Sequence, residues 1–138
     1  MILLDTNVLI YASQTDAQHH SWARRTIAEA VSMGGAAIDA VSLAEVCVGE
    51  SNPETTADTI RRWGVDILDI PVAAAQVSAR AYREYRERRR ERSGKDSPLM
   101  PLPDFFIGAH AQVMGWSLAT ADEGRIKTYF PSVLLITP

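Results

Sequence analysis

At 138 residues, 46% hydrophobic and a net charge of −3, the chain is long enough for one domain and shows neither a disordered nor a collagenous bias. Its single cysteine, Cys47, excludes an internal disulfide framework and a cysteine-rich zinc site and fits a reducing compartment. No run approaches the roughly 20 apolar residues that cross a bilayer, and no basic segment with a cleavage site opens the chain. The expectation is a soluble cytoplasmic domain with no membrane partner.

Met1-Ile-Leu-Leu reads as a short buried strand that stops at Asp5, with Thr6 and Asn7 following and an apolar run resuming at Val8-Leu9-Ile10. Asp16 is placed to cap a helix running to about Met33, with Ala23, Ile27, Ala30 and Val31 at helical spacing and Gly34-Gly35 ending it. His19 and His20 lie in its first turn; adjacent positions point apart, which suits a surface better than a metal. Ala36 to Ala40 forms a second strand, after which Ser42 and Glu45 make an S-x-x-E capping box for a helix that ends by Gly49. Within it Cys47, flanked by Val46 and Val48, is expected to be core packing.

Asn52-Pro53 starts the next helix, with Ala57, Ile60 and Trp63 on one face and a stop at Gly64. Val65 to Ile70 alternates as a third strand and is closed by Pro71. From Val72 a long helix carries Ala74, Val77, Ala81 and Tyr85 on its core side, then continues in charge alone. Ser93 to Pro103 is loop; Asp104 to Met114 is apolar nearly all round, which marks a buried helix, and Gly115 ends it. Ser117 to Thr120 is a fourth strand, Asp122 caps a short helix, and Val133 to Ile136 is a fifth strand. Strands alternating with helices predict a single α/β/α sandwich over 1–138, with a central parallel sheet of about five strands.

On that scaffold four acids share the carboxyl-terminal edge of the sheet, where open α/β folds place their sites. Asp5 follows the first strand, Glu45 the second and Asp122 the fourth; Asp104 opens a helix that runs back from that edge. Each has an ordinary use, as a turn residue, a capping-box partner or a helix N-terminal acid worth about 0.3–1 kcal/mol. Four together repel one another and raise one another's pKa values. A hard divalent cation with oxygen ligands, Mg²⁺ or Mn²⁺, relieves that conflict and can act on a phosphate diester.

The ordered set Asp5-Thr-Asn, Glu45, Asp104-x-x-Ile-Gly-Ala and Thr120-Ala-Asp122 resembles the PIN-domain ribonucleases, in particular the VapC-type toxins of VapBC toxin–antitoxin modules. The opening Leu-Leu-Asp-Thr-Asn-Val-Leu-Ile and the Tyr-Phe-Pro before the last strand carry the same likeness. The resemblance covers essentially the whole chain. It implies a metal-dependent endoribonuclease acting on RNA, a homodimer, and neutralisation by a small cognate antitoxin. It makes Asp5, Glu45, Asp104 and Asp122 the catalytic acids, with Asp5 and Asp104 as direct ligands of Mg²⁺ (or Mn²⁺). Glu45 would hold the metal or orient the attacking water, and Asp122 would hold one of the metal's waters or a second ion. Thr6, Asn7 and Thr120 match its supporting polar positions. Gly108 departs from it, since alanine is more usual there.

Related alternatives are a PIN-type nuclease of RNA processing and a catalytically inactive binding module of the same fold. A haloacid-dehalogenase-type phosphotransferase needs D-x-D, and Asn7 stands where the second Asp would be. A response-regulator receiver needs an adjacent acidic pair ahead of Asp5 and a matching lysine after a late strand, and neither is found.

Charge is unevenly spread. Arg80 to Lys95 holds eight of the 14 basic residues against three glutamates, which makes that window +5 and the rest of the chain −8. Arg83–Glu87 and Glu84–Arg88 are spaced for helical ion pairs, yet an excess of positive charge remains. Arg86, Arg88, Arg89, Arg90 and Arg92 are therefore candidate RNA contacts, with partner docking or solubility as the other uses. His110, six residues after Asp104 on a buried helix, reads as a satisfied core or interface histidine.

Overall fold

The computed structural model describes residues 1–91 and 99–138; Arg92, Lys95 and most of the loop expected from Ser93 lie outside them. The chain runs β1 (Ile2–Leu4), α1 (Thr6–Ser13), α2 (His20–Met33), β2 (Ala36–Asp39), α3 (Ala40–Val48), α4 (Pro53–Arg62) and β3 (Val65–Leu68). It continues with α5 (Val72–Glu91), a 3-10 turn (Leu102–Phe105), α6 (Phe106–Met114), β4 (Ser117–Ala119), α7 (Glu123–Tyr129) and β5 (Leu135–Ile136). The five strands form one parallel sheet in the order β3-β2-β1-β4-β5. The α/β sandwich expected from the alternation is the fold found.

Successive strand residues face opposite sides, so Leu3 and Leu4 supply two different cores. Leu3, Ala37 and Leu118 pack with Phe105, Ile107, Ile126 and Phe130 under α5, α6 and α7. Leu4, Ile38, Val65 and Ala119 pack with Val8, Leu9, Ala23, Ile27 and Ile60 under α1, α2 and α4. An aromatic group made of Tyr82, Tyr85, Phe105 and Tyr129 fastens the middle of α5 to the 3-10 turn and α7, with neighbouring ring centroids 5.2 to 6.0 Å apart. Beyond it Arg86, Glu87, Arg90 and Glu91 are exposed, as the loss of the apolar face predicted.

Several local expectations are corrected. The apolar run after Asn7 is helical, and α1 begins directly after β1. The second helix starts at His20 and not at Asp16, with His19 at the cap position making no side-chain cap bond. The start of α3 is set by Asp39, whose Oδ1 accepts from the Ser42 amide at 3.0 Å. The expected Ser42–Glu45 box does not form: Ser42 is buried, and Glu45 is the sixth residue of the helix. Asp104 sits in the 3-10 turn just ahead of α6 and does not begin it. Cys47 is only half-buried, with Sγ 3.8 Å from the Pro53 carbonyl. The last two strands in the chain are shorter than expected, since β4 stops at Ala119 and β5 begins at Leu135.

Gly108 has a physical explanation. A Cβ there would stand 2.3 Å from the Phe130 ring, so the missing side chain lets the end of α7 lie against α6. Gly115 closes α6 with φ of 68°, a left-handed conformation that glycine adopts without steric cost.

Candidate active site

The sheet order places β1 beside β4 at the point where the crossovers diverge, and crevices open there beyond the strand ends. A cleft of about 250 Å³ lies at that edge, lined by Asp5, Thr6, Asn7, Glu45, Asp104, Asp122 and Arg125, with Ile10, Pro103 and Ile107 as its apolar wall. All four acids read from the sequence face it. Asp39 ends β2 on the same edge but turns inward, where Oδ2 accepts from His110 Nδ1 at 3.1 Å in full burial. His110 is thus a satisfied core histidine, as expected. His20 donates from Nδ1 to the Tyr11 carbonyl at 2.8 Å, and the His19 ring packs against Tyr11 and Trp22; neither belongs to the cleft.

Around Asp5 the polar groups are closely paired. Its Oδ1 accepts from the Thr6 amide at 2.7 Å, and its Oδ2 accepts from Thr120 Oγ1 at 2.7 Å and Asn7 Nδ2 at 3.2 Å. Thr120 Oγ1 in turn accepts from the Asp122 amide at 2.9 Å, and Asn7 Oδ1 accepts from the Ala121 amide at 3.2 Å. Thr6 Oγ1 donates to Glu45 Oε1 at 3.0 Å, which brings α3 into the same network. Thr6, Asn7 and Thr120 therefore hold the Asp5 carboxyl, and Thr6 also holds that of Glu45.

Burial pushes the Asp5 carboxyl up from its ordinary value of 3.8, against the hydrogen bonds from Thr120 and the Thr6 amide and the charge of Arg125, while Asp122 adds to the rise. Burial also raises Glu45 from 4.5; the Thr6 bond and Arg125 lower it, and Asp104 and Asp5 raise it. Much of Glu45 remains exposed, so water screens its charge.

Asp104 and Asp122 are held differently. Asp122 occupies the cap position of α7 without making the cap bond; its Oδ2 meets Arg125 Nη1 at 3.1 Å. The same Nη1 lies 3.8 Å from Asp104 Oδ2. Arg125 was not apparent from sequence. Its three-residue spacing from Asp122 offered one signal, but its second partner lies 21 positions away in the chain and only the fold brings it near.

Four carboxylates on one cleft have the donor chemistry of a hard divalent cation. Among the described residues, however, no three His, Cys, Asp or Glu side chains stand close enough together to hold one ion. Arg125 supplies the positive charge between two of the acids in this arrangement.

The basic end of α5 is partly committed within the chain. Arg88 Nη2 donates to Glu84 Oε1 at 2.6 Å, and its guanidinium stands over the Tyr129 ring at 5.4 Å. Arg86, Arg89 and Arg90 line a shallow depression with Leu99, apart from the acidic cleft. No helix among the described residues is long and apolar enough to cross a membrane.

The model of the PIN domain matches residues 2–131. Among solved structures, VapBC2 from Rickettsia felis bound to a DNA fragment from their promoter is similar, with a TM-score of 0.70, 18% identity, and coverage of 99% of this chain and 98% of that one. Mycobacterium tuberculosis VapC20, described as a sarcin–ricin loop cleaving toxin, gives a TM-score of 0.65 at 17% identity over 100% of both chains. FitAcB from Neisseria gonorrhoeae gives 0.64 at 21% identity, over 100% of this chain and 98% of that one. Identities this low speak for the fold alone. No curated protein sequence matches the chain. With all but one of its residues before Ser132 matched and the four acids on the edge that the fold reserves for chemistry, the chain belongs to the PIN domain family.

Proposed function

We propose that this PIN domain is a metal-dependent endoribonuclease, the toxin of a type II toxin–antitoxin pair. One observation carries the reading: Asp5, Glu45, Asp104 and Asp122 arrive from four separate elements and line one cleft. The likeness to VapBC and FitAB structures supports the toxin assignment, and the name of VapC20 supports RNA as the substrate class. In this reading the protein acts in the cytoplasm as a homodimer, and a small antitoxin neutralises it.

Mg²⁺, with Mn²⁺ as a substitute, would supply the charge that stabilises a phosphate diester under attack. Asp5 and Asp104 would hold the ion, with Asp122 supporting it. Glu45, held by Thr6, would orient the attacking water. Thr120 and Asn7 keep the Asp5 carboxylate in one orientation, so its position is fixed before substrate arrives. Arg86, Arg89 and Arg90 would meet RNA phosphates outside the cleft, with Arg88 more committed to Glu84 and Tyr129.

The test is RNA cleavage by the purified chain with Mg²⁺, with EDTA, and with Asp5→Asn. Cleavage confined to the native protein with Mg²⁺ is the expected outcome; cleavage that survives both EDTA and Asp5→Asn defeats the reading. A neighbouring gene for a small DNA-binding protein is expected from the toxin assignment. A second reading, a PIN fold kept for binding without chemistry, is favoured by the lack of a ready three-ligand cluster among the described residues. RNA binding without cleavage under any divalent ion would decide for it.

A further inference from the structure

Among the described residues Arg125 is the one cation that lines the acidic cleft. It is largely buried, with its side chain 13% exposed, and one nitrogen, Nη1, serves both Asp104 and Asp122. The contact at 3.1 Å is an ion pair at hydrogen-bond distance; the one at 3.8 Å is an ionic approach only. Neither is the two-pronged fork that locks an arginine onto a carboxylate. Its Nε is buried without a hydrogen-bond partner among the described residues. An arginine placed for structure alone would satisfy that donor, because an orphaned buried N–H is unfavourable. Arg125 is thus held in place by charge, in an arrangement it can leave.

From this we infer that Arg125 is an internal counter-ion that competes with a divalent cation for the acids of the cleft. The inference rests on the proposed metal-dependent reading of the site. Without an ion, the guanidinium neutralises part of the charge that four acids bring together, and its field reaches beyond the pair it touches. Asp5 and Glu45 both feel it as a pull toward the ionised form. An incoming dication meets this positive charge and must weaken the Arg125 contacts to Asp104 and Asp122. Arg125 therefore sets a threshold concentration for metal entry.

The probe is Mn²⁺ alone, with no RNA, and the readout is its affinity by titration calorimetry and by loss of the free-ion EPR signal. Arg125→Gln should bind Mn²⁺ about tenfold more tightly, the scale of removing one charge a few ångströms from a dication in a partly screened site. Arg125→Lys keeps the charge and should stay within about twofold of the native protein. Unchanged or weaker binding by Arg125→Gln overturns the inference while leaving the metal-dependent reading intact. Absence of Mn²⁺ binding by native protein and both variants overturns that reading and this inference together. A measurement on the native chain guards against a variant that fails to fold. Saturating Mg²⁺ should move the Arg125 Nε–Hε resonance, assigned by its loss in Arg125→Lys. A resonance that stays still at saturation also overturns the inference.

Discussion

The two halves of the cleft hold their acids by different means. On the β1 side Asp5 is 7% exposed and accepts from an amide, a hydroxyl and a side-chain amide, each from a residue whose own remaining groups are paired. On the α7 side the Asp104 and Asp122 side chains are 27% and 44% exposed and share one guanidinium nitrogen. The first half is locked by directional bonds that fix orientation; the second is tethered by charge, which fixes sign and approximate distance. A site built this way keeps one acid rigid and lets the others adjust when charge arrives.

The comparison can be strained at several points. The largest effect is expected where the tethered half leans on the core. Gly108→Ala places a methyl in the Phe130 ring and should destabilise by about 1–3 kcal/mol, more than the helical preference for alanine returns. Urea unfolding reads it as a lower midpoint at constant slope. Within the locked half, Thr120→Val keeps the shape but removes the donor to Asp5 and the acceptor for the Asp122 amide. A loss of about 1–3 kcal/mol by the same measurement is expected, and a loss under about 0.5 kcal/mol would mean that the half is not locked.

Asp104→Asn should show the contrast. It removes a partly exposed charge from a crowded set and leaves Arg125 with Asp122. Stability should therefore stay within about 0.5 kcal/mol or rise, while Mg²⁺-dependent cleavage falls to background. The finest test is pH. The folded-state pKa of Asp5 is raised, so the folded chain holds that proton more tightly than the unfolded one. The associated stability is fully present below 3.8, the ordinary value, and is lost as pH rises through the raised one. Metal-free native protein should therefore lose stability relative to Asp5→Asn as pH rises from 3.8 toward neutrality, and Glu45 adds a weaker change of the same sign from 4.5 upward. A flat difference would mean that the bonds to Asp5 offset its burial in full.

The same division explains what could be read from the sequence. The four acids were legible because Asp5 and Asp122 follow strand ends while Glu45 and Asp104 stand near helix starts, and the alternation of strand and helix sends all four to one edge. The supporting Thr6, Asn7 and Thr120 were legible only through the resemblance, as matches to its polar positions. Arg125 was not, because its second partner is distant in the chain. The start of α3 misled because two capping patterns compete: Asp39 with the Ser42 amide, and Ser42 with Glu45. The structure uses the earlier one, which frees Glu45 to face Thr6. The first helix was missed because a short apolar run that packs straight off a strand has no polar face to reveal its period.

Asp39 touches the start of α3 with one oxygen and the flank of α6 with the other. Those two helices carry Glu45 and stand behind Asp104, so a single buried carboxylate gauges the spacing between opposite walls of the cleft. Because this gauge lies beneath the rim, the acids above it could be exchanged for others without resetting the gap. A change at position 39 would shift both walls at once without altering the identity of any rim residue.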